Sequence, residues 1–194
     1  MEKHDGLQID SAVAGHPARA PGPPLDRVAQ PGHDDRAPTL RVREFTDDLA
    51  PAFHDINAQW IEAMFTLEAT DREVLENPRA RIVDPGGEIL FVEAEGLGIV
   101  GTCALQKTGE GQFELTKMGV LDSARGQKAG EFLLRAVLRR AAARGADTLY
   151  LLTSSKCAAA IHLYEKLGFR HDTAIMRDFG ARYQRCDVAM RFAP

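Results

Sequence analysis

FELTKMGVLDSARGQKAG, residues 113–130, joins a strand-forming segment to a helix-forming segment through a short glycine-containing turn. Residues 113–121 are mostly apolar and suit a buried strand, whereas residues 131–144 are rich in Leu, Ala and Arg, which favours a helix. A tight turn of this kind directs the unpaired N–H groups and the positive dipole end of the helix beyond the end of the strand. The stretch therefore predicts a phosphate-binding turn.

The turn itself contains residues that suit an anionic ligand. The candidate phosphate-binding residues are Arg125, Gly126, Gln127, Lys128, Ala129 and Gly130. The two glycines allow close backbone approach, and the arginine and the lysine place mobile cations on either side of the glutamine. The same pattern also fits an ordinary helix cap, so a second motif is needed to choose between the two readings.

A second motif follows at residues 149–169, LYLLTSSKCAAAIHLYEKLGF. Together the two stretches resemble the GNAT acetyltransferase superfamily. Its signature is a strand, an Arg/Gln-x-x-Gly-x-Gly/Ala turn and a helix, then a parallel strand and a helix ending in Tyr-x-x-x-Gly-Phe. Here the turn reads RGQKAG at 125–130 and the second motif reads YEKLGF at 164–169. The resemblance covers about residues 39–192.

The chain divides into two zones of different composition. Residues 1–38 hold six of the ten prolines and few large apolar residues, so this segment is predicted to be a disordered tail. Residues 39–194 are long enough for one folded domain with a substantial core, which the resemblance predicts to be a GNAT-like N-acetyltransferase domain.

The hydrophobic pattern predicts an α+β (mixed α/β) domain. Strands are expected at 40–45, 88–93, 99–106, 113–121, 148–153, 170–176 and 185–192. Segments 88–93, 99–106 and 113–121 are expected to form an antiparallel meander. Strand, helix, strand order makes 148–153 parallel to 113–121. The resemblance implies a GNAT-like fold, in which a central, mostly antiparallel sheet splays between these two parallel strands and is flanked by helices.

Four helices are expected around this sheet. The first presents a buried face of Leu49, Phe53, Ile56, Trp60 and Met64. The second begins with a capping box of Thr70 and Glu73 and stops at Pro78. The third covers 130–144, and Ser154 or Ser155 caps the fourth, which ends at Gly168.

Overall composition limits the classes of partner. A formal net charge of −4 does not favour DNA or RNA. No apolar run approaches the roughly 18 residues of a membrane span, and the N-terminus lacks a signal-peptide core, so a cytoplasmic protein is expected. The cysteines, at positions 103, 157 and 186, show no C-x-x-C spacing, so they are expected to be reduced and no metal site is predicted.

The resemblance implies acetyl-CoA as co-substrate, in a cleft between strands 113–121 and 148–153. The pyrophosphate would lie on the backbone N–H groups of residues 125–130. The pantetheine arm would pair with the backbone of Met118, Gly119 and Val120. A glycine inside a strand marks either such a close approach or a bulge without ligand, and both readings stay open for Gly119.

The turn and the second motif each depart from the family pattern once. Lys128 stands where the family usually has glycine, so the backbone there must be open to an L-residue; its side chain either pairs with a CoA phosphate or lies in solvent. Cys157 stands seven residues before Tyr164, where many members have an asparagine that contacts the cofactor. A thiol is a poor replacement for that amide.

Acetyl transfer to an amine needs a proton donor for the departing thiolate and a base for the ammonium. Tyr164 matches the general acid of many family members; otherwise it is a packed aromatic. Glu114 matches the catalytic glutamate of histone-type members, and the alternative is a solvated carboxylate. Strand alternation places Glu114, Thr116, Met118 and Val120 on one face. Lys117 is then on the opposite face, where burial requires a carboxylate partner.

The resemblance implies an N-acetyltransferase that moves an acetyl group from acetyl-CoA to a primary amine, of a small molecule or a protein, by direct transfer in a ternary complex. Near the expected acceptor site, Glu68 and Asp71 are candidates to contact a cationic acceptor. Within enzymes, a different acyl donor or a hydroxyl acceptor is the alternative. From another class, the alternative is a non-catalytic acyl-CoA-binding or sensor module. A homodimer is left open.

Overall fold

The computed structural model describes residues 39–193, and the predicted tail at 1–38 lies outside the described residues. The strands are β1 (Leu40–Glu44), β2 (Glu88–Ala94), β3 (Gly98–Gly109), β4 (Gln112–Val120), β5 (Thr148–Thr153), β6 (Phe169–His171) and β7 (Val188–Phe192). The α-helices are α1 (Ala50–Met64), α2 (Ala69–Glu76), α3 (Ala129–Ala143), α4 (Ala158–Lys166) and α5 (Thr173–Phe179). The α+β class is therefore confirmed.

The strands form one seven-stranded mixed sheet in the order β1-β2-β3-β4-β5-β7-β6. The predicted meander of β2, β3 and β4 is antiparallel, as expected for strands joined by short glycine-containing turns. β4 and β5 are parallel, since α3 carries the chain back between them. The mostly antiparallel sheet with one central parallel pair is thus confirmed.

The parallel pair separates after only four residue pairs. Pairing runs from Gln112–Thr148 to Leu115–Leu151 and stops there, although β4 continues to Val120. The other edge of β4 remains paired with β3 as far as Val120. One backbone edge of residues 116–120 therefore faces an opening in the sheet.

Two hydrophobic cores cover the two faces of the sheet. On one face α3 buries Leu133, Leu134 and Val137 against the strands, as its helical spacing of apolar residues requires. On the other face α1 buries Phe53 and Ile61. The prediction that Met64 packs in this core is wrong: Met64 ends the helix and is 43% exposed.

A bulge in β4 corrects the predicted alternation of its side chains. The register with β3 shifts between Thr102 and Ala104, and Lys117 on the opposing segment has a φ of 50°, in the left-handed region. Because of the extra residue, Lys117 lies on the same face as Glu114, while Met118 turns to the face that carries α3. The predicted shared face of Glu114 with Met118 and Val120 is therefore wrong, as is the opposite placement of Lys117.

Two helix starts differ from the prediction. At α2, the carboxylate of Asp71 accepts a hydrogen bond from the backbone N–H of Glu68 at 3.1 Å, so the capping box lies two residues before the predicted box of Thr70 and Glu73. At α4, Cys157 occupies the N-cap position without a side-chain cap, so the serines at 154 and 155 do not cap the helix.

The predicted strand at 170–176 is wrong over most of its length. Strand β6 ends at His171, and α5 begins at Thr173 because the Asp172 carboxylate accepts hydrogen bonds from the N–H groups of Ala174 and Ile175. Helix α5 buries Ile175 against the sheet, next to Tyr150.

Candidate active site

The opening between β4 and β5 leads into a cleft that is lined by residues from both faces of the sheet. Leu115, Met118 and Tyr164 line it on the side of α3 and α4. Trp60, Phe65, Lys117, Tyr183 and Arg185 line it on the side of α1 and α2. The enclosed part measures about 60 Å³, which is room for a group of a few heavy atoms.

Tyr164 reaches this cleft from the last turn of α4. Its side chain is 6% exposed, packs edge-on against Phe169 with ring centroids 5.8 Å apart, and places its hydroxyl 3.8 Å from the Met118 sulfur. Burial raises the pKa of Tyr164 well above its usual value. The phenol, which is protonated at neutral pH even at its usual pKa, stays so here and has an O–H proton to donate.

The predicted phosphate-binding turn lies at the start of α3, beyond the end of β4. The N–H groups of Lys128, Ala129 and Gly130 donate to no acceptor among residues 39–193. A side chain at Gly126, where φ is 79°, would point into open space. These donors and the helix dipole suit an anionic phosphate group.

Lys128 is the N-cap residue of α3 and has φ 59° and ψ 19°. This is the left-handed conformation that glycine adopts freely and that costs an L-residue about 1–2 kcal/mol. The backbone of the turn thus keeps the glycine-like conformation despite the substitution. The lysine side chain is exposed, so it does not close the turn.

Gly119 allows a close approach, but the approaching group belongs to the protein. A Cβ atom at Gly119 would lie 2.7 Å from Cδ1 of Trp60, whose indole N–H donates to the Asn57 side chain at 3.1 Å. Met118 and Val120 turn the other way, towards Gly130 at the start of α3. The glycine therefore lets α1 pack directly on the β4 backbone at the end of the cleft.

Glu114 does not line the cleft beside Tyr164. It is 1% exposed, pairs with the Arg182 guanidinium and accepts a hydrogen bond from the Tyr150 hydroxyl at 3.4 Å. Burial raises the pKa of Glu114, and the positive charges of Arg182 and Lys117 oppose this shift. The alternative of a solvated carboxylate is excluded by its burial.

A network of buried ion pairs lies on the α2 side of the cleft. The sequence predicted a carboxylate partner for Lys117 but not the network. Lys117 donates to Asp71 at 2.6 Å, which confirms that the lysine has a carboxylate partner. Arg185 donates to both oxygens of Asp71, at 2.7 and 2.8 Å, and to Glu68 at 2.9 Å. Burial alone would raise the pKa of Asp71, but the hydrogen bonds and charges of Arg185 and Lys117 lower it to about 2. The prediction that Glu68 and Asp71 await a cationic acceptor is wrong, because both already bind cations of the chain.

Other features of the described residues bear on the kind of site. Cys103, Cys157 and Cys186 are free thiols, and burial raises the pKa of Cys186 to about 11. Within residues 39–193, no cluster of three or more His, Cys, Asp or Glu side chains could hold a metal ion. None of the helices in this part of the chain is long and apolar enough to cross a bilayer.

The described part of the chain thus combines a splayed parallel pair, a helix start with free N–H groups and a buried tyrosine in the cleft. Residues 44–169 match the family model described as the acetyltransferase (GNAT) family. The chain belongs to this family. No curated protein matches the sequence.

Solved structures show the same fold. An acetyltransferase of the GNAT family from Staphylococcus aureus Mu50 has a TM-score of 0.71 at 21% identity, over 79% of this chain and 98% of that one. The PaiA N-acetyltransferase from Thermoplasma acidophilum, in complex with coenzyme A, has a TM-score of 0.60 at 14% identity, over 80% and 99%. YncA from Salmonella typhimurium, with acetyl-CoA, has a TM-score of 0.58 at 20% identity, over 69% and 80%.

Proposed function

We propose that the domain at residues 39–194 transfers an acetyl group from acetyl-CoA to a primary amine by direct transfer in a ternary complex. The observation that carries the proposal is the placement of Tyr164 in the cleft that opens between β4 and β5. The free N–H groups at the start of α3 suit the pyrophosphate, and the open edge of residues 116–120 suits the amide groups of the pantetheine arm. Two of the structural relatives bind coenzyme A or acetyl-CoA, which supports the choice of co-substrate.

The reaction requires two proton transfers, which we assign to side chains in and beside the cleft. Transfer forms a C–N bond and breaks a C–S bond, while the amine loses one proton and the departing thiolate gains one. Tyr164 is the proposed proton donor, because its phenol lines the cleft and is protonated at neutral pH. Acetyl-CoA, when bound, supplies the acetyl group on a thioester.

Glu114 stays the candidate base, on the condition that the Arg182 side chain moves away from it. Burial raises the pKa of Glu114, which favours proton uptake, but Arg182 covers the carboxylate. The Arg182 side chain is 38% exposed, so it can move aside without opening the core. In this proposal Glu114 takes the amine proton, directly or through water, once Arg182 is displaced.

The first experiment is calorimetric titration with acetyl-CoA, beside a Gly126→Glu control that places a carboxylate at the phosphate-binding turn. We expect saturable binding at one site that is lost in the control. Binding of equal strength in Gly126→Glu, or no binding at millimolar acetyl-CoA, would contradict the proposal.

The second experiment tests Tyr164 by thiol release in the presence of an amine acceptor. Loss of a general acid lowers the rate by about 10²–10⁴-fold, so Tyr164→Phe should lower kcat by at least 10²-fold and leave acetyl-CoA binding unchanged. Phe169→Leu, which alters the packing of the same tyrosine but keeps its hydroxyl, is the matched control and should retain most of kcat.

A non-catalytic acyl-CoA-binding module is the second candidate function. The ion pair between Arg182 and Glu114 favours a binding module, because such a module needs no base. Intact acetyl-CoA binding with no thiol release from any amine would decide for this candidate.

A further inference from the structure

We infer that the acceptor carries an anionic group beside its amine, as an amino acid or a close analogue does. The anion would be bound by Lys117 and Arg185, on the α2 side of the cleft. The inference rests on the proposed transferase function and adds the chemical class of its acceptor. It excludes polyamines and lysine-rich protein segments as the preferred acceptors.

The first step is the order of charges across the cleft wall. Lys117 and Arg185 line the cleft, whereas their partner Asp71 is fully buried and lies behind them. Glu68, the second partner of Arg185, also lies outside the cleft lining. Inside the cleft, an entering group therefore meets Arg185 and Lys117, whose side chains are 13% and 3% exposed, and not the fully buried Asp71.

Donors remain free on this wall after the internal ion pairs are made. The Lys117 ammonium has three N–H groups, and its hydrogen bonds within residues 39–193 go to Asp71 and, at 3.4 Å, to the Tyr183 hydroxyl. Arg185 uses its two terminal nitrogens, and its Nε–H donates to no residue in that range. The Tyr183 hydroxyl accepts from Lys117 and still has its own proton to donate. These three donors suit an oxyanion.

The charges around the cleft also favour an acceptor with an anionic group. Besides the network, the Lys156 ammonium lies 5.6 Å from the centre of the Phe65 ring, which lines the cleft, and has no carboxylate within ion-pair distance among the described residues. Among the side chains of this wall, Lys117, Arg185 and Lys156 exceed Asp71 and Glu68 by one formal charge, while the nearby Glu114 is paired with Arg182. An additional ammonium without an anion would be repelled, whereas a carboxylate beside the amine offsets the excess.

The aromatic rings of the wall are also engaged by cations of the chain. Tyr183 has the Lys117 ammonium 4.7 Å and the Arg185 guanidinium 5.0 Å from its ring centre. The Lys156 ammonium and the Arg185 guanidinium lie 5.6 Å and 5.8 Å from the centre of the Phe65 ring. On this wall, a cationic acceptor therefore finds the carboxylates of Asp71 and Glu68 and the rings of Tyr183 and Phe65 already in contact with cations of the chain.

The test is an acceptor panel with matched pairs, assayed by thiol release from acetyl-CoA. Each of the common α-amino acids is compared with its α-carboxamide, which keeps the amine and side chain and removes the negative charge. We expect kcat/KM to be at least tenfold higher for the carboxylate in the pair that reacts best. The ratio should shrink as ionic strength rises.

A charge reversal assigns the effect to this wall. Lys156→Glu should lower the carboxylate-to-carboxamide ratio of kcat/KM by at least threefold, and using the ratio cancels any change in acetyl-CoA binding. Lys107→Glu makes the same charge change at an exposed position of β3, near the start of β4 rather than its open end, and should leave the ratio unchanged. Arg185→Lys keeps the charge but loses the guanidinium fork, and should raise KM for the carboxylate member more than it lowers kcat.

The outcomes separate this inference from the proposed function. Equal or faster reaction of the carboxamides or of spermidine would overturn the acceptor class and leave the transferase function standing. Absence of thiol release with every amine tested, despite acetyl-CoA binding, would overturn both. A ratio that falls equally in Lys156→Glu and Lys107→Glu would also overturn the assignment to this wall.

Discussion

Replacing Asp71 by asparagine should strongly destabilise the fold, because Asp71 holds two cations at a buried position. Its side chain is fully buried, and that of Lys117 is 3% exposed. The pKa of Asp71 falls from 3.8 to about 2, and at about 1.4 kcal/mol per pKa unit this shift alone corresponds to about 2 kcal/mol. Leaving a buried charge without its partner costs about 3–5 kcal/mol. We therefore expect a loss of about 2–5 kcal/mol at pH 7.

The assay is urea unfolding of the full chain, with Glu131→Gln as the matched control. Glu131 also binds two cations, Arg135 and Lys166, but at the protein surface, where the same loss of charge should change the midpoint only slightly. If Asp71→Asn unfolds within about 1 kcal/mol of the parent chain, the argument that this network stabilises the cleft wall is refuted.

The pH dependence of the Asp71 variant provides a second check. A lowered pKa contributes stability that is fully present above the unfolded-state value of about 3.8. It is lost as the pH falls towards the folded-state value of about 2. The difference in stability between the parent chain and Asp71→Asn should therefore be constant from pH 7 to about pH 5 and shrink between about pH 4 and pH 2. A difference that grows on acidification would contradict the sign of the shift.

The remaining predictions concern the backbone of the site and one thiol. Lys128→Gly should stabilise the chain by up to about 1 kcal/mol in urea unfolding, whereas Gly126→Ala should destabilise it by a similar amount, since a Cβ there meets no atom and only φ is strained. Gly119→Ala should destabilise by about 1–3 kcal/mol and shift the emission of Trp60, the sole tryptophan, because the new Cβ lies 2.7 Å from its ring. Cys186 should resist iodoacetamide at pH 8 in peptide mapping of the native chain, since its pKa is about 11; labelling as fast as in urea would disprove this.

Much of the sheet could be predicted because its signals are local. Glycine-containing turns separate the apolar runs of β2, β3 and β4, and the glycine at 145, with φ 66°, ends α3 as expected for a C′ residue. Helix α5 was missed because its few apolar residues fit a strand as well as a helix. The Asp172 cap was the available signal, and it lay inside the segment that had been assigned to a strand.

The candidate site was harder to predict, because its arrangement depends on one extra residue in β4. Strict alternation grouped Glu114 with Met118, but the bulge at Lys117 separates them onto opposite faces. A bulge with a lysine at positive φ has no sequence signal of the kind that glycine provides. The pairing of Asp71 with Lys117 and Arg185 joins residues 46 and 114 positions apart, and hydrophobic periodicity carries no information about such partners.

The parallel pairing of β4 with β5 covers only four residue pairs, ending at Leu115 and Leu151. Along this line the sheet divides into β1 to β4 on one side and β5, β7 and β6 on the other. Blocks of this kind commonly exchange amide hydrogens as separate cooperative units. A ligand bound in the opening would contact both blocks and hold them together. Slower deuterium uptake in both blocks on addition of acetyl-CoA, rather than near the turn alone, would be the signature of this coupling.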